Sequence, residues 1–565
     1  MKINLKFNSL ILLLGVYILS GIVFMAIAGF SVFYVFSSFG YLKNWYISLN
    51  SCFYEINGWS AFFNTATKTS GNFYCIAAII TSIAGLLYIS LKLKTIVSLS
   101  LRPIEVEVNW KDILYPFLLG VLQIGLWFWG QTLVVPSFDE VFSAVNCASV
   151  PVFQCMSYYM LPNNHIFFNL LNNLLFHSAS DHVFTGRIIS LLAYLVLGIW
   201  AYFWFGKQFK NRFLAFASAF VLTVQFSTWG FGFQARGYEI YALAQWAAFV
   251  LLFDYIRSGR KEYLVLNSLF CIIGYITIPS FLYYHVAQIL FMALYQAVQK
   301  RFDFRFWKYQ VLLMVFVFYF YLPAICFSGM GALVRNKYVL SSHETTYQFL
   351  QEVKFYSRSY IEYCFSNSFL SSSFLSLILF LFPVLLLFTK KKWMAIFVIV
   401  QVIAFIGMVF LMKKLPFHRN LVGQYSIILT VTIIAIYQLF ENIKSSYSKP
   451  VFALLMTLLA IFFIRIGSRG MANNLYFDDA TNAHSAIGLY LDGLPKGTVV
   501  GCSDQCFYWY YLCSQKHIAA HQCPDGLESY YVKQQDEGFP SVLHPLSYKR
   551  QAKILDYEIF RMIAK

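Results

Sequence analysis

Two adjacent carboxylates, Asp139 and Glu140, stand in the polar stretch 136–176, which separates two long apolar runs. Ser137 lies three residues before Glu140, the spacing of a capping box, and this predicts that a helix begins here. A carboxylate partly withdrawn from water beside a bilayer can serve as a general base. Asp139 is therefore a candidate catalytic base, and Glu140, about 100° round the helix, could orient an acceptor or coordinate a cation. The alternative is that the pair only caps the helix.

A run of amides ends in histidine a little further on, at Asn163, Asn164 and His165, directly after Pro162. Apolar residues then recur at helical spacing, which predicts an amphipathic helix lying in the membrane interface. A helix N-terminus stabilises anions such as phosphate, and a histidine there adds a donor. The three residues are therefore candidate phosphate ligands. Ordinary capping is the alternative, and it explains one asparagine better than two followed by histidine.

Three arginines, Arg187, Arg236 and Arg419, fall at predicted span ends on the same side of the membrane as these residues. A guanidinium group can bind a phosphate or diphosphate through two parallel hydrogen bonds. Single arginines at span ends also reach to lipid headgroups without any further role. Arg236 could instead pair with Glu239, about one helical turn on.

The composition defines the class of protein in which this chemistry would occur. The 565 residues are 59% hydrophobic, 20% aromatic and only 12% charged, whereas a soluble domain is about a quarter charged. The chain is therefore an integral membrane protein. Its net charge of +17 comes from short Lys and Arg clusters between apolar runs, a distribution typical of membrane topology and not of nucleic-acid binding.

A bilayer span needs about 20 apolar residues, and the sequence predicts an all-α polytopic protein with thirteen spans. They fall near 9–31, 74–92, 113–135, 187–205, 213–230, 237–256, 262–278, 280–298, 308–327, 370–389, 393–412, 421–440 and 450–466. The first run is too long for a signal-peptide core. Six basic loops fall on one side, which the positive-inside bias makes cytoplasmic. A multi-pass cell (inner) membrane protein with a cytoplasmic N-terminus is expected, its candidate site and C-terminal domain extracytoplasmic.

The predicted organisation has three parts: two N-terminal spans in residues 1–95, a transmembrane module in 96–466, and a small extracytoplasmic α/β domain in 467–565. The module carries two large outer loops. The loop 136–186 holds the acidic pair and predicted interfacial helices. The loop 328–368 is rich in basic and aromatic residues, which predicts an interfacial helix or a lid over a lipid groove, or alternatively only a solvated basic face.

Most of the eleven cysteines lie in predicted outer segments, including Cys147 and Cys155 in the acidic loop. Cys502, Cys506 and Cys513 cluster with Cys523 in the C-terminal domain, at steps of 4, 7 and 10 residues that fit no common zinc pattern. An oxidising compartment permits disulfides. The sequence therefore favours disulfides, of unknown connectivity, over a metal site.

The chain contains no Walker loop, dinucleotide fingerprint, HExxH or GxSxG motif. It resembles, over about residues 113–440, the GT-C superfamily of polytopic glycosyltransferases, in particular the protein O-mannosyltransferase and lipid A aminoarabinose transferase branch. The matching motifs, in order, are the Asp139-Glu140 pair after a span, Pro162-Asn163-Asn164-His165, Ala235-Arg236-Gly237-Tyr238 and Pro416-Phe417-His418-Arg419. It departs from that branch in its extra leading span and in lacking a lysine in the second motif.

The resemblance implies a membrane glycosyltransferase that moves a sugar from a polyprenyl-phosphate donor to a hydroxyl of a glycan, lipid or protein, with inversion. Asp139 would deprotonate the acceptor and Glu140 would position it. The donor phosphate would be held by Asn163, Asn164, His165, Arg187, Arg236 and Arg419. No cofactor is implied, although a divalent cation is compatible with the acidic pair. The alternative is a transporter or flippase of lipid-linked or small solutes, which would place ionisable groups nearer the membrane midplane.

Overall fold

The computed structural model describes residues 2–7, 9–49, 62–97, 104–159, 163–334, 345–364, 381–442, 447–472, 480–522, 526–539, 543 and 545–563. The main helices, in chain order, are α1 (Ser9–Phe36), α2 (Phe39–Leu49), α3 (Thr65–Val97), α4 (Trp110–Leu133), α5 (Phe138–Ser143), α6 (Val152–Ser157), α7 (Ile166–Leu175), α8 (His182–Phe209), α9 (Arg212–Val224), α10 (Phe226–Gly232), α11 (Tyr238–Ser258), α12 (Lys261–Thr277), α13 (Leu282–Val298), α14 (Phe304–Ser328), α15 (Met330–Val334), α16 (Thr346–Cys364), α17 (Lys392–Met412), α18 (Val422–Asn442), α19 (Ser448–Ala472), α20 (Thr481–Asp492) and α21 (Phe507–Gln515). The strands are β1 (Lys2–Phe7), β2 (Ile104–Asn109), β3 (Val499–Cys502), β4 (Ala519–His521), β5 (Tyr530–Gln534), β6 (Tyr548–Ile554) and β7 (Tyr557–Met562).

Ten of these helices are long and apolar enough to cross a bilayer, counting the described residues only: α1, α3, α4, α8, α11, α13, α14, α17, α18 and α19. The pair α9 and α10, bent by 70° at its break, makes eleven if it counts as one span. Twelve of the thirteen predicted spans fall in the described part, so the prediction exceeds the structure there by one or two helices. The predicted span 262–278 is α12, whose 17 residues rise about 26 Å and fall short of a bilayer core. Most of the predicted span 370–389 lies outside the described residues.

The centre of the helix bundle is formed by α11 and α18, whose most apolar windows are 83% and 94% buried. Helices that are apolar on all sides and enclosed by other helices are expected at such a position. Gly423 allows the two to approach closely, since a Cβ there would lie 2.2 Å from Oε1 of Gln245. By contrast, α1 and α3 are mostly exposed and present Ile and Leu side chains to lipid.

Between α4 and α8 the chain forms short helices and a π-helical turn, Ala144–Ala148. A helix does follow Pro162, as α7, but its polar face is not the one in water. Asn169, Asn172 and Asn173 are about 1% exposed, whereas Leu174 and Leu175 are more than half exposed. The buried amides hold the loop together, because Asn173 donates to the carbonyls of Ala148 and Val150 and Asn172 donates to that of His182.

The C-terminal part contains a five-stranded sheet in the order β4-β3-β5-β7-β6, with β3 parallel to β4 and β5 and the other pairs antiparallel. Two helices, α20 and α21, accompany it, as predicted for a small α/β domain. The α21 helix packs on α5: the Tyr508 hydroxyl donates to the carbonyl of Pro136 at 2.9 Å, and its ring lies 4.8 Å from that of Phe138. The sheet domain is thus attached directly to the helix that carries the acidic pair.

The predicted disulfides are absent among the cysteines that the structure describes. All eight cysteines whose side chains the structure describes are free and buried: Cys75, Cys147, Cys155, Cys271, Cys326, Cys502, Cys506 and Cys513. A buried free cysteine packs as a small hydrophobic side chain, and burial raises the pKa of the Cys155 thiol to about 12. Cys52 and Cys523 lie outside the described residues.

Candidate active site

Asp139, in the first turn of α5, is where three of the predicted motifs meet. Its Oδ1 accepts a hydrogen bond from Asn163 Nδ2 at 2.8 Å. Its Oδ2 lies 3.1 Å from Arg419 Nη1 and 3.4 Å from Arg236 Nη1. The Asp139 side chain is 22% exposed, so it reaches solvent at the wall of the bundle. Chain segments far apart in sequence therefore meet at one carboxylate.

Arg236 precedes α11 and is almost completely buried, with 2% of its side chain exposed. Its Nε and Nη1 make no hydrogen bond within the described residues, and its contact with Asp139 is an ion pair only. Tyr238 lies beside both guanidinium groups, with its ring 5.5 Å from Cζ of Arg236 and 5.7 Å from Cζ of Arg419. Buried donors without acceptors are costly, and here they remain available to a bound anion.

His165, just before α7, packs edge to face against the Tyr238 ring, with ring centroids 4.7 Å apart. Its Nδ1 accepts a hydrogen bond from the backbone N–H of Gly237 at 2.9 Å. The proton of the neutral ring is therefore on Nε2, which can donate. Gly237 is needed for this approach, because a Cβ there would lie 3.1 Å from His165. Burial, then Arg236 and Arg419, hold the pKa of His165 well below its usual value, so the ring is neutral at pH 7.

The depressed pKa of His165 makes protein stability depend on pH. Above pH 6.5 His165 is neutral in both the folded and the unfolded chain, so its burial has no pH-dependent cost. Below pH 6.5 the histidine becomes protonated in the unfolded chain but stays neutral in the folded chain. The free energy of unfolding therefore falls as pH falls, by about 1.4 kcal/mol per pH unit. We expect His165→Gln to unfold with a smaller difference between pH 7.5 and pH 5.5 than wild type. Thermal unfolding at the two pH values measures this. The exposed His177→Gln is the control, and an unchanged pH dependence in His165→Gln would contradict the argument.

Glu140 and Arg187 pair with each other and not with the residues around Asp139. Glu140 is fully buried, and its carboxylate accepts from Arg187 Nε at 3.0 Å, Arg187 Nη2 at 3.2 Å, Ala235 N at 2.7 Å and Ser137 N at 2.9 Å. The last contact completes the predicted capping box. Because all its oxygens are engaged, Glu140 is not placed to orient an acceptor, and Arg187 is not placed to clamp a phosphate. The pair instead ties α5 to α8 and to the residue before Arg236.

Asn164 is also structural. It is 1% exposed, its Nδ2 donates to the carbonyls of Cys155 and Tyr158, and its Oδ1 accepts from Asn169. The predicted phosphate role of Asn164 therefore does not fit its position. The structure brings together five of the eight predicted residues: Asp139, Asn163, His165, Arg236 and Arg419.

Several residues at the site were not predicted as its members. Tyr238 and Gly237 lie inside a recognised motif, and their place directly after Arg236 was the available signal. His418, next to Arg419, contacts α16: its Nε2 lies 3.1 Å from Ser359 Oγ, and its ring lies 4.5 Å from that of Tyr356. The second loop therefore does contribute a helix beside the site. Glu239 is not the partner of Arg236, since both its oxygens lack a hydrogen bond within the described residues.

The charges at this site suit an anion. Two guanidinium groups and a neutral histidine surround a single carboxylate, so the local balance is positive before any ligand binds. The described residues contain no group of three His, Cys, Asp or Glu that could hold a metal ion. One carboxylate already flanked by two arginines is a poor donor set for a divalent cation, which prefers several oxygen ligands. The arrangement can bind phosphate and hold a base beside it.

The fold resembles those of solved polytopic membrane proteins. ArnT from Cupriavidus metallidurans bound to undecaprenyl phosphate matches with a TM-score of 0.51 at 12% identity, over 79% of this chain and 98% of that one. The same protein in the apo state gives 0.49 at 10% identity, over 79% and 97%. The apo Archaeoglobus fulgidus oligosaccharyltransferase gives 0.46 at 10%, over 75% and 70%. No protein-family model and no curated protein matches the sequence.

At such identities the likeness shows the fold. The chain is a polytopic helical membrane protein with a small C-terminal sheet, and it shares its fold with that ArnT structure, so the predicted fold class is confirmed.

Proposed function

We propose that this protein is a membrane glycosyltransferase that moves a sugar from a polyprenyl-phosphate donor to an acceptor hydroxyl, at the membrane face where Asp139 lies. The observation that carries the proposal is the convergence of Arg236, Arg419 and neutral His165 on one partly exposed carboxylate. Such a site places a base in direct contact with an anion-binding surface. From the basic loops, this face is extracytoplasmic.

The donor phosphate would replace Asp139 as the partner of the two arginines. Without donor, the Asp139 carboxylate compensates both guanidinium groups, at 3.1 and 3.4 Å. A phosphate carries more charge and more acceptor oxygens, and it could accept hydrogen bonds from Nε and Nη1 of Arg236, which donate none within the described residues. Asp139 would then be released towards the acceptor. The base would thus become available only when donor is bound.

The transfer itself is a single displacement. Asp139 takes the proton of the acceptor hydroxyl as its oxygen attacks the anomeric carbon, and the bond from that carbon to the phosphate oxygen breaks. The electron pair leaves with the polyprenyl phosphate, whose growing negative charge is stabilised by Arg236, Arg419 and the Nε2–H of His165. One displacement inverts the anomeric configuration. Asn163, bonded to Asp139 at 2.8 Å, would keep the carboxylate directed at the acceptor.

The comparison that reaches a TM-score of 0.51 supports this choice of donor, because that ArnT structure is of a protein bound to undecaprenyl phosphate. A lipid carrier also suits the position of the site. The isoprenoid chain can stay among the lipid-facing helices while its phosphate reaches a cleft at the end of α11.

The proposal is tested by the affinity for polyprenyl phosphate and by its release from a sugar-linked donor, measured by mass spectrometry in nanodiscs. We expect Arg236→Gln to weaken polyprenyl phosphate binding by about 10- to 100-fold, since it removes charge-assisted hydrogen bonds worth about 1.5–3 kcal/mol each.

Arg260→Gln is the control, because Arg260 is 63% exposed, and it should bind as wild type does. Equal affinity in both variants would remove Arg236 from the site. If no polyprenyl-phosphate sugar of a broad panel is consumed, while lipid-linked solute crosses the bilayer unchanged, the protein is a transporter and the proposal is wrong.

A further inference from the structure

A cleft opens on the far side of the helix bundle from Asp139. It has a volume of about 930 Å³ and lies between the N-terminal part of α4, the end of α8 and the start of α9. Arg187, near the beginning of α8, contacts Glu140, and Lys207, in the cleft, follows 20 residues later. That separation is about 30 Å along a helix, so the cleft is at the membrane face opposite Asp139.

Three cations line this cleft, Lys207, Lys210 and Arg212, and none of the acidic side chains that the structure describes does so. Neither lysine ammonium group has an ion-pair or hydrogen-bond partner within the described ranges. Lys210 has a left-handed backbone with φ 51°, which ends α8 sharply and turns the chain into α9. Asn211 caps α9 by accepting from Leu214 N, and the positive end of that helix dipole adds to the three charges.

Apolar side chains complete the cleft on its lipid side. Leu114, Phe203 and Phe213 are 45%, 45% and 48% exposed and all line it. Exposed aromatic and aliphatic side chains directly beside Lys207 and Lys210 form an amphipathic surface at the end of transmembrane helices. A soluble anion would use only the cations. A lipid would use both parts, with its phosphate on the basic residues and its chains along Leu114 and the phenylalanines.

We propose that this cleft binds an anionic glycerophospholipid, a ligand distinct from the donor of the proposed transfer reaction. The cationic end at the membrane surface neutralises the headgroup phosphate, and the apolar end receives the first part of an acyl chain. The lipid would fill the gap between α4 and the α8–α9 turn. This proposal stands whether or not the protein transfers sugar.

The test uses the full-length protein purified in mild detergent after equilibration with vesicles containing phosphatidylglycerol and phosphatidylcholine in equal parts. The number of lipids retained per protein is counted by mass spectrometry. We expect wild type to retain phosphatidylglycerol in preference, and the triple variant Lys207→Gln/Lys210→Asn/Arg212→Gln to retain at least about tenfold less, since each basic residue near a membrane contributes to anionic-lipid affinity. Asparagine is chosen at 210 because it tolerates the left-handed backbone.

The matched control is Lys300→Asn/Arg301→Gln/Arg305→Gln, which removes three charges elsewhere on the same face, including Lys300 with φ 49°. It should retain lipid as wild type does, and equal losses in the two triple variants would overturn the site. Inorganic phosphate at millimolar concentration should not displace the lipid; if it does so fully, the cleft binds soluble anions and the lipid proposal is wrong. If the triple variant does not fold, Lys207→Gln alone should still retain several-fold less phosphatidylglycerol than Lys300→Asn.

Discussion

Asp139→Asn should abolish sugar transfer, lowering the rate by about a thousandfold, the effect of removing a general base. The substitution keeps the size of the side chain and its place in the first turn of α5, but an amide cannot take the acceptor proton. It also leaves Arg236 and Arg419 without their anionic partner, so polyprenyl phosphate should bind at least as tightly as before. A loss of rate without a loss of donor affinity separates a catalytic base from a donor-binding residue.

The measurement pairs initial rates of polyprenyl phosphate release with binding of the unreactive carrier phosphate. Glu262→Gln is the control, because Glu262 is 55% exposed and pairs with the exposed Arg260. It should retain both rate and affinity. Transfer at the wild-type rate by Asp139→Asn would exclude Asp139 as the base, even if the protein proves to be a glycosyltransferase.

The residues that meet at Asp139 could be predicted because each broke a compositional rule. In a chain that is only 12% charged, a carboxylate and several arginines at the ends of apolar helices are unusual. A shared functional site explains why they are there. Their order along the chain also resembled a known arrangement. Sequence alone could not show which of them would meet, since Asp139, Arg236 and Arg419 come from segments about 100 and 180 residues apart, brought together only by the packing of α5, α11 and α18.

The buried asparagines show where pattern reasoning failed. The prediction for α7 assumed that amides face water or ligand and leucines face lipid or core. The structure leaves Leu174 and Leu175 exposed but buries the amides, because a loop with few regular backbone hydrogen bonds must satisfy its carbonyl groups some other way. Asn169, Asn172 and Asn173 have the spacing of one helix face, and that spacing was a signal that they act together. Asn164 belongs to this network, which explains why only Asn163 reaches Asp139.

The span count failed for a different reason. Hydropathy shows whether a segment is apolar enough for a lipid environment, but it does not show whether the segment forms one continuous, straight helix. The predicted span 213–230 is two helices bent by 70°, with Gln225 at the break, where its side chain accepts from Ser227 N. Similarly, α12 ends where Ile278 precedes Pro279, a residue pair that disfavours helical backbone. The same apolar composition therefore serves both full spans and shorter or broken helices.

The Glu140–Arg187 pair is where a structural role and a catalytic role make opposite predictions. Glu140→Gln or Arg187→Met should each lower the free energy of unfolding by about 3–5 kcal/mol, because each leaves one buried charge uncompensated. If Glu140 instead served the acceptor, Glu140→Gln would lose rate while unfolding as wild type does. Glu140 also accepts a hydrogen bond from Ala235 N at 2.7 Å, directly before Arg236. The transfer rate in both variants should therefore fall only to the extent that Asp139 and Arg236 are displaced.

The double variant Glu140→Gln/Arg187→Met decides between the two. It removes both charges together, so its stability should recover most of what either single variant loses, a coupling that two independent residues would not show. Two measurements are made on each variant: unfolding in detergent, and binding of polyprenyl phosphate. If the double variant recovers both stability and donor binding, the role of the Glu140–Arg187 pair is structural. If stability losses simply add and Arg187→Met alone loses donor affinity, then Arg187 contacts the phosphate, as its sequence position first predicted.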